Sequence, residues 1–185
     1  MELAQANAKK LSNQPNQNSC FKDLVAIVTG AGNGLGKSYA ISLAYNGAKV
    51  LVNDCGSDQS GRRSADLVVE SIKRNGGTAI ANYDSVLNGA KIVNECLEKF
   101  GKIDILINNA GILRDKTFSK LTKDEWMQVI DVHLNGTYSM TKAALPAMIK
   151  QKYGRILNTT SAVGLYGNFG QSNYSAAKAA ILSFT

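Results

Sequence analysis

From residue 21 onward, short apolar runs rich in β-branched residues alternate strictly with helix-length amphipathic stretches. The predicted strands are residues 25–29, 49–53, 78–82, 103–107 and 155–159. The predicted helices are residues 34–46, 61–74, 87–100, 123–150 and a last one from about 172 onward. Strands that are apolar along their length, each followed by a helix, are typical of a parallel sheet covered on both faces. Because crossovers are right-handed, we expect a doubly wound α/β sheet with strand order 3-2-1-4-5.

Residues 1–20 have a different composition from the rest of the chain. They are rich in Asn, Gln and Ser and contain Pro15. Such a segment buries too little apolar surface to offset the entropy lost on ordering, which predicts a flexible polar tail. The remaining residues 21–185 have a length that suits one domain with a single core. No apolar run approaches the roughly 20 residues of a membrane helix, so no membrane span is expected.

The formal net charge of +7 raises the question of a nucleic-acid partner. The basic residues are scattered, however, and no aromatic residues interleave with basic pairs such as Arg62-Arg63. An anionic small molecule is therefore the more reasonable partner, and nucleic-acid binding is not expected. Cys20, Cys55 and Cys96 are far apart and form no paired spacing, so we expect neither a disulfide framework nor a metal site.

The turn after the first predicted strand has the glycine spacing TGxxxGxG, beginning at Thr29. Such glycines make a tight turn, let the backbone approach a pyrophosphate, and begin a helix whose N-terminal amides attract anions. With a strand before it and a helix after it, this turn predicts a dinucleotide site in a Rossmann-like domain. Its predicted cofactor-binding residues are Gly30, Asn33, Gly34, Leu35 and Gly36.

Asp54 closes the second predicted strand, near the roughly 20-residue offset at which an acid bonds the adenosine ribose. A carboxylate at this position accepts hydrogen bonds from the ribose hydroxyls and repels a 2′-phosphate. Neither Asn33 nor Cys55 is basic, so no neighbour in the sequence would compensate such a phosphate. Asp54 therefore predicts NAD rather than NADP as the cofactor.

Tyr174 and Lys178 are four residues apart, on one face of the last predicted helix. Ser161 follows the fifth strand, at the edge where open parallel sheets bind their ligands. An isolated tyrosine keeps its proton at neutral pH, and a nearby ammonium group favours the phenolate. Tyr174 would then accept a hydroxyl proton while NAD takes the hydride, with Ser161 hydrogen-bonded to the substrate oxygen. His133 is the single histidine and a weak candidate for a catalytic base.

Several signatures together resemble the short-chain dehydrogenase/reductase family, and their order matches over residues 22–185. They are the TGxxxGxG turn, Asn108-Asn109-Ala110-Gly111 after the fourth strand, Asn135, Ser161, and Tyr174-x-x-x-Lys178. The resemblance implies an NAD(P)-dependent dehydrogenase with the catalytic residues Asn135, Ser161, Tyr174 and Lys178. It also implies that Asn135 kinks its helix to hold a water molecule that joins Lys178 to solvent.

The resemblance further implies that the cofactor is contacted at several strand ends. The residues concerned are Asp84, Ser85, Asn108, Asn109, Ala110, Gly111, Tyr174 and Lys178. Asp84 resembles the acid that contacts adenine, and residues 109–111 resemble the segment that supports the central sheet near the adenosine.

Residues 81–86, 109–115 and 166–174 resemble one subfamily in particular, the dehydrogenase units that oxidise (3R)-3-hydroxyacyl-CoA to 3-oxoacyl-CoA in peroxisomal fatty-acid β-oxidation. This resemblance implies an acyl-CoA substrate, a peroxisomal location and a homodimer in the complete family member. A cytoplasmic location is the alternative. Residues 10–18 approximate an N-terminal peroxisomal signal, although its last position differs.

Family members continue through two further strands and a loop that grips the nicotinamide, whereas this sequence ends at Thr185. The resemblance therefore implies a domain over residues 21–185 that lacks the last two strands, and little dehydrogenase activity is expected from this chain alone. Two other functions stay open. One is a non-catalytic nucleotide-binding remnant, and the other is a dehydrogenase or reductase for a steroid or acyl-carrier substrate.

Overall fold

A computed structural model describes residues 20–185 of the chain. The predicted flexible tail, except Cys20, and the approximate peroxisomal signal lie outside these residues. Five strands form one sheet: β1 (Val25–Thr29), β2 (Lys49–Asn53), β3 (Thr78–Asn82), β4 (Ile105–Asn108) and β5 (Arg155–Asn158). Their order is β3-β2-β1-β4-β5 and every pairing is parallel, which confirms the predicted fold class and strand order.

Helices connect the strands and follow the last of them. They are α1 (Gly34–Tyr45), α2 (Ser64–Arg74), α3 (Gly89–Phe100), α4 (Lys123–Ile130), α5 (Gly136–Gln151), α6 (Val163–Tyr166) and α7 (Ser172–Phe184). Short 3₁₀ turns lie at Val86–Asn88 and Phe118–Lys120. The predicted bounds of the first three strands are confirmed, and those of the other two are correct to within two residues.

Two of the predicted helices differ from the structure. The long helix predicted for residues 123–150 is divided, because a π-helical turn at Asp131–Asn135 separates α4 from α5. The helix predicted for residues 61–74 begins only at Ser64. Before it, Oδ1 of Asp58 accepts hydrogen bonds from the N–H groups of Ser60 and Arg62, at 2.8 and 3.0 Å. A short polar side chain that takes backbone donors in this way favours a turn over a helix.

The core consists of two layers, one on each face of the sheet. Alternate residues of β1 point to opposite faces, and all five are buried, which explains why this strand has no polar side at all. One layer packs Ala26 and Val28 against α1 and α2. The other packs Val25 and Ile27 against α3 and α5.

The five strands end on side chains that form hydrogen bonds. These last residues are Thr29, Asn53, Asn82, Asn108 and Asn158. Nδ2 of Asn53 donates to Oδ1 of Asn82 at 2.8 Å, and Nδ2 of Asn108 donates to Oδ1 of Asn158 at 2.9 Å. The carboxyl edge of the sheet is therefore a row of polar side chains above an apolar core.

The Thr29 hydroxyl stands at the centre of this row and ties β1 to the end of β4. Its Oγ1 donates to the carbonyl of Ile107 at 3.3 Å and accepts from the N–H groups of Asn109 and Ala110, both at 3.0 Å. One hydroxyl thus fixes the turn after β4 against the turn after β1.

We expect Thr29→Val to lower the free energy of unfolding by about 2 kcal/mol, because two partly buried backbone N–H groups lose their acceptor without a change of side-chain volume. Urea denaturation followed by circular dichroism measures the loss. The matched control is Thr78→Val, at the exposed first position of β3. Equal effects of the two substitutions would contradict the role assigned to the Thr29 hydroxyl.

Candidate active site

The turn between β1 and α1 brings its backbone close to the segment that follows β4. Gly30 has a φ of +60°, and a Cβ there would lie 2.7 Å from the Cα of Ala110. A Cβ on Gly36 would overlap the carbonyl oxygen of Gly30. Gly34 has a φ of +53° and faces open space, with nothing within 4 Å of its Cβ position. Gly30 and Gly36 therefore make the turn tight, while the surface at Gly34 is open to a ligand.

The N-terminus of α1 lies at this open surface. Asn33 occupies the N-cap position without a side-chain hydrogen bond to the helix, and the first turn has no acidic residue. Leu35 is 61% exposed. The first N–H groups of α1 thus have no side-chain acceptor, and they attract an anion such as a phosphate.

Asn109 holds the glycine turn from the side of β4. Its Nδ2 donates to the carbonyls of Thr29 and Gly30, at 3.0 and 3.2 Å. Because Ala110 lies directly against Gly30, residues 109–110 form one wall of the turn. This arrangement is consistent with the supporting role that the family resemblance implies for this segment.

Asp54 holds the same turn from the side of β2. Its two carboxylate oxygens accept hydrogen bonds from the N–H groups of Gly32 and Gly56, at 2.8 and 2.7 Å. The residue is only partly buried, so its carboxylate retains acceptor capacity for a ligand.

A basic side chain, that of Arg63, lies beside Cys55, the residue that follows Asp54. Nη1 of Arg63 approaches the carbonyl oxygen of Cys55 to 3.5 Å, and its guanidinium lies 5.2 Å from the centre of the Tyr83 ring. The loop after β2 thus folds back and brings the basic side chain of Arg63 beside the residue that follows Asp54, a proximity that the sequence did not indicate.

Asp84 and Ser85 follow the end of β3, next to the end of β2. The backbone carbonyl of Asp84 accepts from Nδ2 of Asn53 at 2.8 Å, and its carboxylate accepts from Nδ2 of Asn82 at 3.1 Å. The Ser85 hydroxyl accepts from the N–H of Leu87 at 3.3 Å and caps the 3₁₀ turn. The structure thus places both residues at the carboxyl edge, on the side of the glycine turn where Asp54 lies.

Lys178 is buried on α7, at 3% exposure. Its Nζ donates to the carbonyl of Thr159 at 2.5 Å and lies 5.6 Å from the centre of the Tyr174 ring. Burial lowers the pKa of Lys178 to about 8. The carbonyl of Lys178 also accepts from the Thr160 hydroxyl at 2.8 Å, so the segment after β5 fixes this residue at two points.

Ser161 belongs to the same segment after β5. It is partly buried, and its Oγ accepts from the N–H of Val163 at 3.3 Å. A Cβ on Gly164 would lie 2.8 Å from the backbone N of Ala179, so this glycine allows α6 to pack closely on α7. The structure therefore brings the segment of Ser161 against the helix that carries Tyr174 and Lys178.

Asn135 belongs to the π-helical turn that separates α4 from α5. It is exposed at the end of the π-helical turn, and its Nδ2 donates to Oδ1 of Asp131 at 2.7 Å, so its side chain is directed back along its own turn. The π-helical turn does lie where the resemblance implies a kink. The residue of this turn that lies against Tyr174 is His133, with ring centres 5.2 Å apart and ring planes at 85°.

His133 is 3% exposed. Its Nε2 lies 3.0 Å from the backbone N of Ile112 and 2.9 Å from the carbonyl oxygen of the same residue. Burial, with a smaller contribution from the Lys178 ammonium, lowers the pKa of His133 to about 4 against the opposing effect of its hydrogen bond to Ile112. The ring is therefore neutral at physiological pH, and with so low a pKa it is a weaker proton acceptor than an ordinary imidazole.

Among residues 20–185, no helix is both long and apolar enough to cross a bilayer. Within the same range, no group of three or more His, Cys, Asp or Glu side chains could hold a metal ion.

Comparison with known proteins gives a family match. A profile described as short chain dehydrogenase matches residues 24–185. The Saccharomyces cerevisiae protein named peroxisomal hydratase-dehydrogenase-epimerase is 57% identical over 166 residues, which cover 87% of this chain and 18% of the yeast protein. The chain thus spans less than a fifth of the length of that relative.

Solved structures agree with this match. A crystal structure of a short chain dehydrogenase from Mycobacterium avium superposes with a TM-score of 0.84 at 39% identity, covering 89% of this chain and 61% of that one. The structure of full-length peroxisomal multifunctional enzyme type 2 from Drosophila melanogaster superposes with a TM-score of 0.76 at 47% identity, covering 88% of this chain and 27% of that one.

We expect the imidazole of His133 to stay neutral from pH 8 down to about pH 5, because its pKa is lowered to about 4. The unfolded chain, with a pKa near 6.5, takes up this proton earlier. Stability from this group is therefore fully present above pH 6.5 and falls as the pH drops towards 4, by on the order of 3 kcal/mol.

Nuclear magnetic resonance of the imidazole measures this pKa directly, because the chain has a single histidine and the signal needs no assignment. The same titration in concentrated urea is the control, with an expected midpoint near 6.5. A folded-state midpoint close to that of the urea sample would show that the ring is accessible to water.

Proposed function

This chain belongs to the short-chain dehydrogenase family, and we propose that it carries the cofactor-binding and proton-transfer residues of an NAD-dependent dehydrogenase that oxidises a secondary alcohol to a ketone. The proposed substrate is a (3R)-3-hydroxyacyl-CoA, and the proposed setting is peroxisomal fatty-acid β-oxidation. The subfamily resemblance of residues 81–86, 109–115 and 166–174 supports this choice, as does the 57% identity to a yeast protein named peroxisomal hydratase-dehydrogenase-epimerase. The net charge of +7 is compatible with an anionic thioester.

The observation that carries the proposal is the buried ammonium group of Lys178 beside Tyr174. Burial of a charge without a counter-charge is costly, and no carboxylate of the described residues forms an ion pair with this lysine. A fold has no structural reason to place an ammonium there. An adjacent phenol that must lose its proton provides a chemical reason, because the positive charge favours the phenolate.

The proposed role of each residue in the reaction follows from its position. Tyr174 as phenolate accepts the proton of the substrate hydroxyl, and the Ser161 hydroxyl hydrogen-bonds to the same substrate oxygen. The Thr159 carbonyl fixes Nζ of Lys178 and thereby holds its positive charge near the phenol. The nicotinamide ring, when bound, supplies the hydride acceptor. Tyr174 and Lys178 are also proposed to contact the cofactor itself.

The glycine turn fits a dinucleotide at the other end of the site. The open surface at Gly34 and the uncapped N-terminus of α1 suit a pyrophosphate. We assign the ribose hydroxyls to Asp54 and the adenine to Asp84 and Ser85. Asn108 would contribute from the end of β4, and a homodimer is proposed for the complete protein.

We expect NADH to bind more tightly than NADPH, because the Asp54 carboxylate would lie against the additional phosphate. Asp54→Asn keeps the size and one acceptor oxygen but removes the charge. It should weaken NADH binding about tenfold and reduce the preference for NADH over NADPH. Fluorescence titration of both cofactors with both proteins measures the four dissociation constants.

Arg63→Ala is the matched control, because Arg63 is the basic side chain at this corner. It should leave the NADH affinity unchanged in the native background. In the Asp54→Asn background it should remove whatever NADPH affinity was gained. Native protein that binds NADPH as tightly as NADH would refute the role proposed for Asp54.

In a protein extended by the C-terminal third of a homologous dehydrogenase, we expect Tyr174→Phe to lower the turnover number by on the order of 10²–10⁴, because the proton acceptor is lost. NADH binding should be retained, since the ring still packs against His133. The rate is followed by the absorbance of reduced nicotinamide with a (3R)-3-hydroxyacyl-CoA as substrate.

Tyr153→Phe is the control for loss of a tyrosine hydroxyl. Tyr153 is exposed and packs against Arg155 before β5, remote in the sequence from the proposed proton-transfer groups. Turnover by Tyr153→Phe should equal that of the native protein. A Tyr174→Phe protein that keeps most of its rate would exclude Tyr174 as the base.

A further inference from the structure

The π-helical turn between α4 and α5 directs one aromatic side chain into the interior beside Tyr174. The edge-to-face geometry of His133 and Tyr174, with ring centres 5.2 Å apart and planes at 85°, is the arrangement that the quadrupoles of aromatic rings favour. A π-helical turn changes the direction in which side chains leave a helix, and such turns are frequent at functional sites. The turn therefore accounts for the inward position of His133.

The His133 ring is held on several sides. Nε2 is hydrogen-bonded to the backbone of Ile112, and a Cβ on Gly111 would overlap Cε1 of the ring. The carbonyl of His133 accepts from the Thr137 hydroxyl at 2.6 Å, which fixes the backbone of the turn. Gly111 and Ile112 directly follow the segment that walls the glycine turn. The ring thus connects the end of β4 to the ring of Tyr174.

The polarity of this side chain calls for an explanation. Nδ1 of His133 is buried and has no hydrogen-bond partner. An unpaired buried polar atom is destabilising, and an apolar side chain of similar shape would avoid that loss. The Lys178 ammonium also opposes protonation of this ring, since a protonated imidazole would add a second positive charge to the same region. An uncharged ring avoids this and leaves the Lys178 charge acting alone on the phenol.

We propose that His133 is a positioning residue for Tyr174: its ring supports the phenol ring edge-on. The inference rests on the proposed function of Tyr174 as the proton acceptor. His133 does not itself transfer a proton to the substrate. It acts on the rate through the placement of the Tyr174 oxygen.

The kinetic test compares two substitutions in the protein extended by the homologous C-terminal third. His133→Gln retains a side-chain amide that reaches Ile112 but removes the ring, whereas His133→Phe retains the ring and removes its nitrogens. Because a displacement of about 1 Å can cost on the order of 100-fold, we expect His133→Gln to lower kcat between about 10- and 100-fold. KM should change less than about threefold, since substrate contacts are untouched. His133→Phe should restore kcat to within about fivefold of native.

A second measurement does not depend on turnover. In protein labelled with ¹³C-tyrosine, the ring signal of Tyr174 is assigned by its absence in Tyr174→Phe. Loss of the neighbouring ring in His133→Gln should shift this signal, while His133→Phe should leave it near its native position. Val68→Ala is the control for general destabilisation, because it opens a cavity in the core layer packed by α1 and α2. It should leave the Tyr174 signal and the ratio of kcat to KM unchanged.

The outcomes separate the inference from the proposed function. A native protein that binds the cofactor but oxidises no 3-hydroxyacyl-CoA would refute the proposed function, and the Tyr174 signal would still decide the contact with His133. An unshifted Tyr174 signal in His133→Gln would overturn the inference. It would also be overturned by a kcat that falls no further in His133→Gln than in Val68→Ala.

Discussion

The hydroxyl of Thr29 joins the two turns between which the candidate site is built. It accepts hydrogen bonds from the segment after β4 and donates to β4 itself, so the glycine turn cannot move independently of the central strands. Parallel strands make this possible, since every strand ends at the same edge and delivers its following loop there. Residues far apart in the chain, such as Asp54 and Asn109, then brace one turn from opposite sides. The relative positions of the site residues are therefore fixed by the sheet rather than by any single loop.

The buried ammonium group of Lys178 is unfavourable for folding, and its hydrogen-bond partner limits that cost. An apolar residue at this position of α7 would be easier to bury, because desolvation of the Lys178 ammonium opposes folding. The same desolvation lowers the pKa of Lys178 to about 8. The fold limits this cost by a backbone carbonyl, that of Thr159, instead of a carboxylate. A carboxylate would neutralise the ammonium charge, whereas a carbonyl fixes the ammonium and leaves its charge effective. The choice of partner is thus consistent with the proposed role of Lys178.

Much of the fold was predictable because its signals are local. The first four residues of β1 are apolar since both faces of the sheet are covered. The glycines at 30 and 36 are required by contacts within a few residues or across one strand pair. His133 and Arg63 were not identified as neighbours of the proposed groups. The place of His133 depends on a π-helical turn inside what the sequence indicates as one helix. The place of Arg63 depends on the path of the ten-residue loop between β2 and α2, residues 54–63. Asn135 ends the same turn, where it is exposed and its side chain is directed towards Asp131.

The distribution of unsatisfied polar atoms supports the location of the site independently of sequence motifs. Among the described residues, four buried side-chain atoms lack a hydrogen-bond partner: Asn108 Oδ1, His133 Nδ1, Ser172 Oγ and Ser175 Oγ. One lies at the end of β4, one faces Tyr174, and two are on α7 within two residues of Tyr174. The extensive core under α1 and α2 contributes none. Because such atoms oppose folding, their concentration around one helix indicates a region in which side chains are retained for a purpose other than stability.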